Sequence, residues 1–383
     1  MINTMIIEQN NRHISLALLE NSDLREVEFL EENRATEGSV YLAKITKKID
    51  LANGKTGLLV NIGEDEEALL NVEDEDISYS EGQSIIVQVK QEQHAEKGAK
   101  VSHGVQLAGK YLVYCPYSMA IQASSKIEDK ETMYHYKDLV RARVTGQEGW
   151  ILRTASVDVD FSLLEKEMGE LRELFDNIRI KARTATAPAL LYANSSSFLD
   201  KIDRYKASLE QIVVNTPKLQ QLIAEKFGLQ ADVEKNPFES FGMEEKLLEA
   251  IQKEVKLPCG GHLYIEETKA FVAIDVDSSG MSAGGSISRL NDEAAHEIAK
   301  QIILRNLGGK IVIDFAGSSE YRFMKSVLEI LENDLQNDDC QARLYGLSRA
   351  GNVEIIRRRK HPSLLDLLTE ECPTCKGTGR VEK

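Results

Sequence analysis

The sequence predicts an α/β protein of more than one domain, and three observations carry that reading. Short β-rich runs broken by Gly, Asp and Asn fill residues 38–109. A helical pattern then runs from Phe161 to Ala182, with Leu164, Met168, Leu171, Phe175 and Ile178 recurring at three and four. The C-terminal third reads strand, loop, helix, strand, helix, a succession that favours strands side by side in one sheet. A chain of 383 residues is long enough for two or more cores.

Taken in order, residues 1–35 alternate in the strand manner through MIIEQ, HISLALL and LREVEFL. From Gly38 onward, SVYLAKIT, KTGLLVNIG, EEALLNV and SIIVQVKQE describe a small barrel or sandwich, with the acidic EDEDISYSEG as a solvated loop. YLVYCPY and WILRTA are strand candidates ahead of the long helix, and PALLYA and KIDRYKASLEQIVVNT form a further strand and helix segment. The region up to Leu248 is mostly helical and carries little chemistry. KAFVAIDVD then reads as a buried strand, followed by the loop SSGMSAGG. Asn291 has the character of an N-cap, with Asp292 and Glu293 suited to the positive end of a helix. That helix runs to Asn306 and stops at Gly308–Gly309, KIVIDFAG is the next strand, and Glu320 to Leu335 the next helix.

Composition narrows the function classes. Lys and Arg number 47 against 62 Asp and Glu, a net charge of −15. This argues against a protein that coats nucleic-acid backbones indiscriminately, and leaves room for an enzyme with a locally positive groove. Five cysteines over this length make no disulfide framework. The opening MINTMIIEQNN lacks the basic start and apolar run of a signal peptide, and no stretch of roughly eighteen uncharged apolar residues predicts a membrane span. A reduced, cytoplasmic protein is expected.

The sharpest chemical feature is a pair of acids. Asp275 ends the apolar run of AFVAID, and Asp314 ends that of KIVID. Ligands of open α/β sheets collect at the carboxyl ends of strands. If these strands are neighbours, the two carboxylates lie side by side, which is costly unless a cation joins them. Hard oxygen ligands suit Mg²⁺ or Mn²⁺, which polarises a phosphate oxygen and activates water. Asp277 lies two residues on, on the same strand face, and offers a third oxygen. The plainer reading makes both acids strand-end residues that cap loops.

Cys372 and Cys375 form a CxxC with Gly377 and Gly379 behind it, half of a zinc knuckle. Structural zinc takes four ligands, so a second copy of the chain is one source of the missing pair. A redox pair, or no function, stays open. Among basic residues, Arg357 to Lys360 is the densest run, preceded by Arg349; Arg153 and Thr154 end the strand WILRT, where they suit a phosphate; Lys97 and Lys100 lie in the loop closing the small β unit. Singly each is a solvated charge. Beside two metal-poised aspartates they make a phosphate-bearing polymer plausible.

On these residues the chain resembles the ribonuclease E/G family of bacterial endoribonucleases over nearly its whole length. The resemblance implies an S1 (OB-like) β-barrel inserted into a ribonuclease H-like fold, followed by a DNase I-like α/β domain and a zinc link. The implied division is 1–36 and 198–249 for the ribonuclease H-like part, 37–110 for the S1 domain, 111–197 for a 5′-sensor region, 250–368 for the catalytic domain and 369–383 for the zinc-link tail. EGWILRTA resembles the segment that binds a 5′ monophosphate, which carries that role to Arg153 and Thr154, with Lys97 and Arg349 as further RNA contacts. KAFVAIDVDSSG, NDEAAHEIAKQIILRNLGG and KIVIDF resemble the catalytic signature and carry magnesium binding to Asp275 and Asp314. ECPTCKGTGRV resembles the zinc link, implying one Zn²⁺ shared through Cys372 and Cys375 of two chains, hence a dimer, with dimer against tetramer left open. The implied activity is metal-dependent hydrolysis of single-stranded RNA, favouring 5′-monophosphorylated substrates, in RNA processing or decay.

The chain also departs from the family pattern. Asp277 stands where the family usually has Asn, and Gly317 where it has a further acid. Leu59 and Leu69 occupy the S1 aromatic positions, Gln91 and His94 two basic ones, and SSGMSAGG carries no arginine. These changes predict a weaker electrostatic and stacking grip on RNA. They also define a second reading, a member that binds RNA or a protein partner and cuts poorly or not at all.

Overall fold

Alternating apolar residues in the first thirty positions build three antiparallel strands, Thr4–Asn10, His13–Glu20 and Asp23–Glu31. Met5, Ile7, Leu16 and Leu18 bury on one face of this sheet, while Ile6, Ala17 and Leu19 bury on the other. Burial on both faces explains why His13–Glu20 reads as a nearly continuous apolar run. The sheet is completed from far along the chain: Gln211–Val214 joins Thr4–Asn10 in parallel, and Asp232–Val233 joins the outer edge.

This is a computed structural model, and it describes residues 1–10, 13–31, 35–51, 56–72, 79–93, 98–127, 129–157, 159–194, 197–281, 285–317, 321–336, 338–375, 377 and 379. The chain forms two units, one of Met1–Glu31 with Phe198–Lys383 and one of Glu32–Ser197 between them.

In the inserted unit, Val40–Asp50, Thr56–Asn61, Ala68–Asn71, Lys100–Ser102 and Ser84–Gln91 pair in a ring. Val40–Asp50 pairs with Thr56–Asn61 and also with Ser84–Gln91, so the five strands close into a barrel consistent with an S1/OB-like domain. Closure leaves no free edge, and Ile45, Leu58, Val60, Leu70 and Val87 fill the interior. Beside the barrel, Leu112–Cys115 and Gly149–Leu152 pair antiparallel. The helix Phe161–Thr184 covers them with Leu164, Met168, Leu171, Phe175 and Ile178, all buried. The three-and-four spacing of the sequence is therefore the stripe that faces this core.

The other unit holds a mixed six-stranded sheet in the order Glu254–Lys256, His262–Glu267, Val272–Asp277, Gly309–Asp314, Val353–Arg357 and Arg343–Leu347. One face carries Leu263, Ile265, Ile274, Val276, Ile311 and Ile313, packed with residues of helices Ile287–Leu304 and Tyr321–Leu335. The helix after the first of the acid-bearing strands starts earlier than the sequence suggests. Its N-cap is Ser286, whose hydroxyl accepts from the N–H of Arg289, and Asn291 lies buried one turn inside. Leu290, Ala294 and Ile298 extend the apolar stripe back past Asn291, and that burial outweighs its capping preference. Asn291 instead donates its side-chain N–H to the carbonyl of Ala316 at 2.9 Å, fastening the loop that follows Asp314.

The basic run also divides. Arg357 alternates with Val353 and Ile355 on its strand and points inward, where it meets Asp338 at 2.8 Å with both side chains buried. Arg359 donates to the carbonyl of Gly308. Arg357 thus holds the fold and is closed to phosphate, while Arg359 stays exposed. Among the described residues no helix is long and apolar enough to cross a membrane.

Candidate functional site

Strand alternation decides what faces the solvent beside the two aspartates. Ile274 and Val276 bury against the helices, so Asp275 and Asp277 emerge on the opposite face; Ile313 buries, so Asp314 emerges there too. Val272–Asp277 and Gly309–Asp314 run parallel as immediate neighbours, and Asp275 is the register partner of Asp314. Tyr264 is the partner of Asp275 on its other side, and Glu254 the partner of Tyr264. One row across four strands therefore reads Glu254, Tyr264, Asp275, Asp314, and all four side chains are exposed.

The charges in this row perturb one another. Partial burial, then Asp314 and Asp277, push the Asp275 carboxyl above its usual value. Asp277 differs: its carboxylate accepts from the Ser279 N–H at 2.8 Å and the Ser279 hydroxyl at 2.6 Å, and these bonds pull its pKa down. Asp275 and Asp314 are thus a repelling pair that a divalent cation relieves, while Asp277 is an ionised carboxylate already engaged by its own turn. Among the described residues no three His, Cys, Asp or Glu side chains gather into a ready cage. Two protein carboxylates with open positions suit Mg²⁺, which keeps several waters and binds through few carboxylates. After Asp314, Gly317 sits at φ +87°, and a Cβ there falls 2.9 Å from Ile287, so this turn needs glycine.

Arg153 and Thr154 lie in the other unit, at the end of Gly149–Leu152 and exposed. Arg153 N–H donates to the carbonyl of Tyr111 at 2.9 Å, and its guanidinium donates to the carbonyl of Gly109. The segment it grips is itself clamped. The Glu167 carboxylate accepts from the N–H groups of Lys110, Tyr111 and Leu112 at 2.5, 2.9 and 2.7 Å. A Cβ on Gly109 would fall 2.4 Å from the Glu167 carboxyl carbon, so only glycine fits. The guanidinium is oriented by a rigid partner and keeps donors facing solvent.

Arg349 is exposed in the tight turn between Arg343–Leu347 and Val353–Arg357, where Ser348 accepts from Gly351. Lys97 and His94 lie outside the described residues, as do residues 282–284 of the SSGMSAGG loop. Leu59 and Leu69 are register partners on adjacent barrel strands, half-buried, and offer no ring for stacking. Cys372 is exposed and Cys375 half-buried, and neither is in a disulfide. The backbone N–H groups of Cys375 and Thr374 point at the Cys372 sulfur and lower its pKa. A turn that aims N–H groups at a thiolate fits a metal knuckle.

Sequence reasoning passes over His262, Tyr264 and Glu254. The signal is present in HLYIEE, where buried Leu263 and Ile265 alternate with His262, Tyr264 and Glu266 and turn them to the face of the aspartates.

A family model described as the Ribonuclease E/G family matches residues 106–360, the stretch that holds Arg153, Asp275 and Asp314. The chain belongs to the ribonuclease E/G family. Ribonuclease E of Haemophilus influenzae is 33% identical over 319 residues, covering 79% of this chain and 34% of that protein. Ribonuclease E of Escherichia coli K12 is 31% identical over 318 residues, with 79% and 30% covered. Ribonuclease G of the same strain is 27% identical over 408 residues, with 96% and 82% covered. The chain thus spans about a third of the ribonuclease E relatives and most of ribonuclease G.

Proposed function

We propose that the protein is a metal-dependent endoribonuclease that hydrolyses phosphodiester bonds in single-stranded RNA, in RNA processing or decay. The observation that carries this is the direct register pairing of Asp275 with Asp314 on exposed, adjacent strand positions of a ribonuclease E/G chain. Asp275 and Asp314 would hold Mg²⁺ or Mn²⁺. Such an ion supplies charge neutralisation at a phosphoryl oxygen and lowers the pKa of water. Ser279 fixes the Asp277 carboxylate, on the same strand face as Asp275, through two hydrogen bonds.

Arg153 and Thr154 are read as the site that favours a 5′ monophosphate, since a guanidinium locked to Gly109 keeps its remaining donors aimed at an anion. Arg349 and Lys97 are read as contacts to backbone phosphate. The two units are read as a ribonuclease H-like fold that carries the S1 barrel and 5′-sensor region as an insertion, with a DNase I-like catalytic domain after it. Cys372 and Cys375 are read as half of a zinc link shared with a second copy, which gives a dimer. The test is cleavage of matched 5′-monophosphorylated and 5′-triphosphorylated single-stranded RNAs with Mg²⁺, Mn²⁺ or chelator. Internal cuts that need the metal and are faster on the monophosphate support the reading; metal-independent cutting, or none, overturns it.

A further inference from the structure

We propose that His262 and Tyr264 form a nucleobase-stacking platform on the face of the two aspartates, which seats an unpaired base of the RNA beside the scissile phosphate. The proposal rests on the reading of Asp275 and Asp314 as the centre of RNA cleavage. The two rings lie at alternate positions of one strand and are stacked, with centroids 6.5 Å apart and planes 18° from parallel. Tyr264 is the cross-strand partner of Asp275, and His262 that of Asp277. At such spacings a base resting on the phenol ring reaches the row of the acids.

Strand alternation turns the Tyr264 ring to the open face of the sheet. Tyr264 is 37% exposed, while Leu263 and Ile265 on either side of it are buried. The imidazole has Glu254 beside one nitrogen and a glycine, which leaves it room, beside the other. Its Nδ1 lies 2.6 Å from Glu254 Oε1, and a Cβ on Gly280 would sit 3.2 Å from its Nε2. Lys256, exposed at the sheet edge, is the register partner of His262 and offers an ammonium for backbone phosphate on the far side of the ring from Asp277. The row Lys256, His262, Asp277 thus runs beside the row Glu254, Tyr264, Asp275, Asp314, so cation, rings and carboxylates share one surface. Stacking of a base on a π-face is tolerant of sequence, which suits single-stranded RNA. The barrel positions Leu59 and Leu69 lack rings, so stacking grip in this member shifts to the catalytic sheet itself.

The test compares the unaltered full chain with Tyr264→Phe and Tyr264→Leu in steady-state cleavage of a 5′-monophosphorylated RNA with Mg²⁺. An abasic ribose-phosphate oligomer of the same length serves as competitor. Tyr264→Leu should raise KM roughly tenfold, within the span of one base–aromatic stack. It should leave kcat within about twofold, the mark of lost binding and intact chemistry. Tyr264→Phe keeps the ring and should match the unaltered chain. The inhibition constant of the abasic competitor should be the same for all three. An unchanged KM in Tyr264→Leu overturns the platform alone, with cleavage by the unaltered chain intact. Equal weakening of RNA and abasic competitor makes Tyr264 a structural residue and also overturns it. RNA neither bound nor cut by the unaltered chain overturns the endoribonuclease reading and the platform together.

Discussion

Asp275 and Asp314 face each other across two parallel strands, each at the end of an apolar run whose other residues are buried. Two exposed carboxylates in direct register repel, and the fold keeps them there although Asn at either position would relieve the repulsion. The proposed cation site would account for that arrangement. Its first consequence is thermal: Mg²⁺ or Mn²⁺ should raise the Tm of the unaltered chain by mass action. In Asp275→Asn and Asp314→Asn the metal-free Tm should be equal or higher, and the metal-dependent rise should vanish. Differential scanning calorimetry with and without chelator checks both signs.

The pH dependence of the metal-free protein follows from the same pair. The Asp275 carboxyl sits above its ordinary 3.8 in the fold, so the folded state holds this proton more tightly than the unfolded chain. Below the ordinary value both states are protonated and nothing is lost; as pH rises through the raised value the unfolded state is favoured. Stability should therefore fall as pH rises above the ordinary carboxylate value on account of this group, and Asp275→Asn should remove that component. Asp339 has the opposite sign. Hydrogen bonds and charge from Arg204 and Lys201 outweigh its burial and hold its pKa well below the usual carboxylate range. Its contribution is present above the ordinary carboxylate value and is lost as pH falls. Urea midpoints of Asp275→Asn and Asp339→Asn across this range separate the two.

Lys201 is nearly sealed from solvent and lies against Glu26, Glu28 and Asp339, at 3.4 Å from Glu28 and 2.8 Å from Asp339. Burial raises the Glu26 pKa, and the Lys201 charge offsets that burial. Removing the ammonium in Lys201→Ala takes the cation from Glu26 and Glu28, leaves Asp339 to Arg204 alone, and should cost about 3–5 kcal/mol of unfolding free energy. Arg357→Ala, which strands buried Asp338, should cost a similar amount and should not act as an RNA-binding mutation. Chemical denaturation measures both.

Arg153→Lys keeps the charge and loses the planar fork that grips Gly109 and faces solvent. The ratio of cleavage rates on 5′-monophosphorylated and 5′-triphosphorylated RNA should collapse toward one in this variant. The rate on triphosphorylated RNA should stay within about twofold, since only binding of the end group is touched.

Cys372→Ser removes the sulfur that the Thr374 and Cys375 N–H groups address. Metal analysis of the unaltered chain should find zinc near half an equivalent per chain, and the variant should lose the metal and the dimer together. Sedimentation with and without chelator reads both.

Much of this was legible in the residues themselves. The apolar runs before Asp275 and Asp314 place both acids at strand ends, and the spacing of Leu164 through Ile178 locates the buried stripe of the long helix. What hid were features that depend on partners distant in sequence. Arg357 reads as surface charge until Asp338 is found beside it, and Asn291 reads as a cap until the stripe of Leu290 and Ala294 carries the helix back to Ser286. The five-strand ring closes through Ser84–Gln91 meeting Val40–Asp50, a contact no local pattern announces. Tyr264 gains its meaning only from lying opposite Asp275.

The most direct test is the single-turnover cleavage rate of one 5′-monophosphorylated RNA across a Mg²⁺ titration, for the unaltered chain and for Asp314→Asn. The account predicts saturable, Mg²⁺-dependent internal cleavage by the unaltered chain and a loss of at least about a hundredfold in Asp314→Asn, with RNA still bound and the fold intact. Cleavage by Asp314→Asn at the unaltered rate and with the same Mg²⁺ dependence would contradict it.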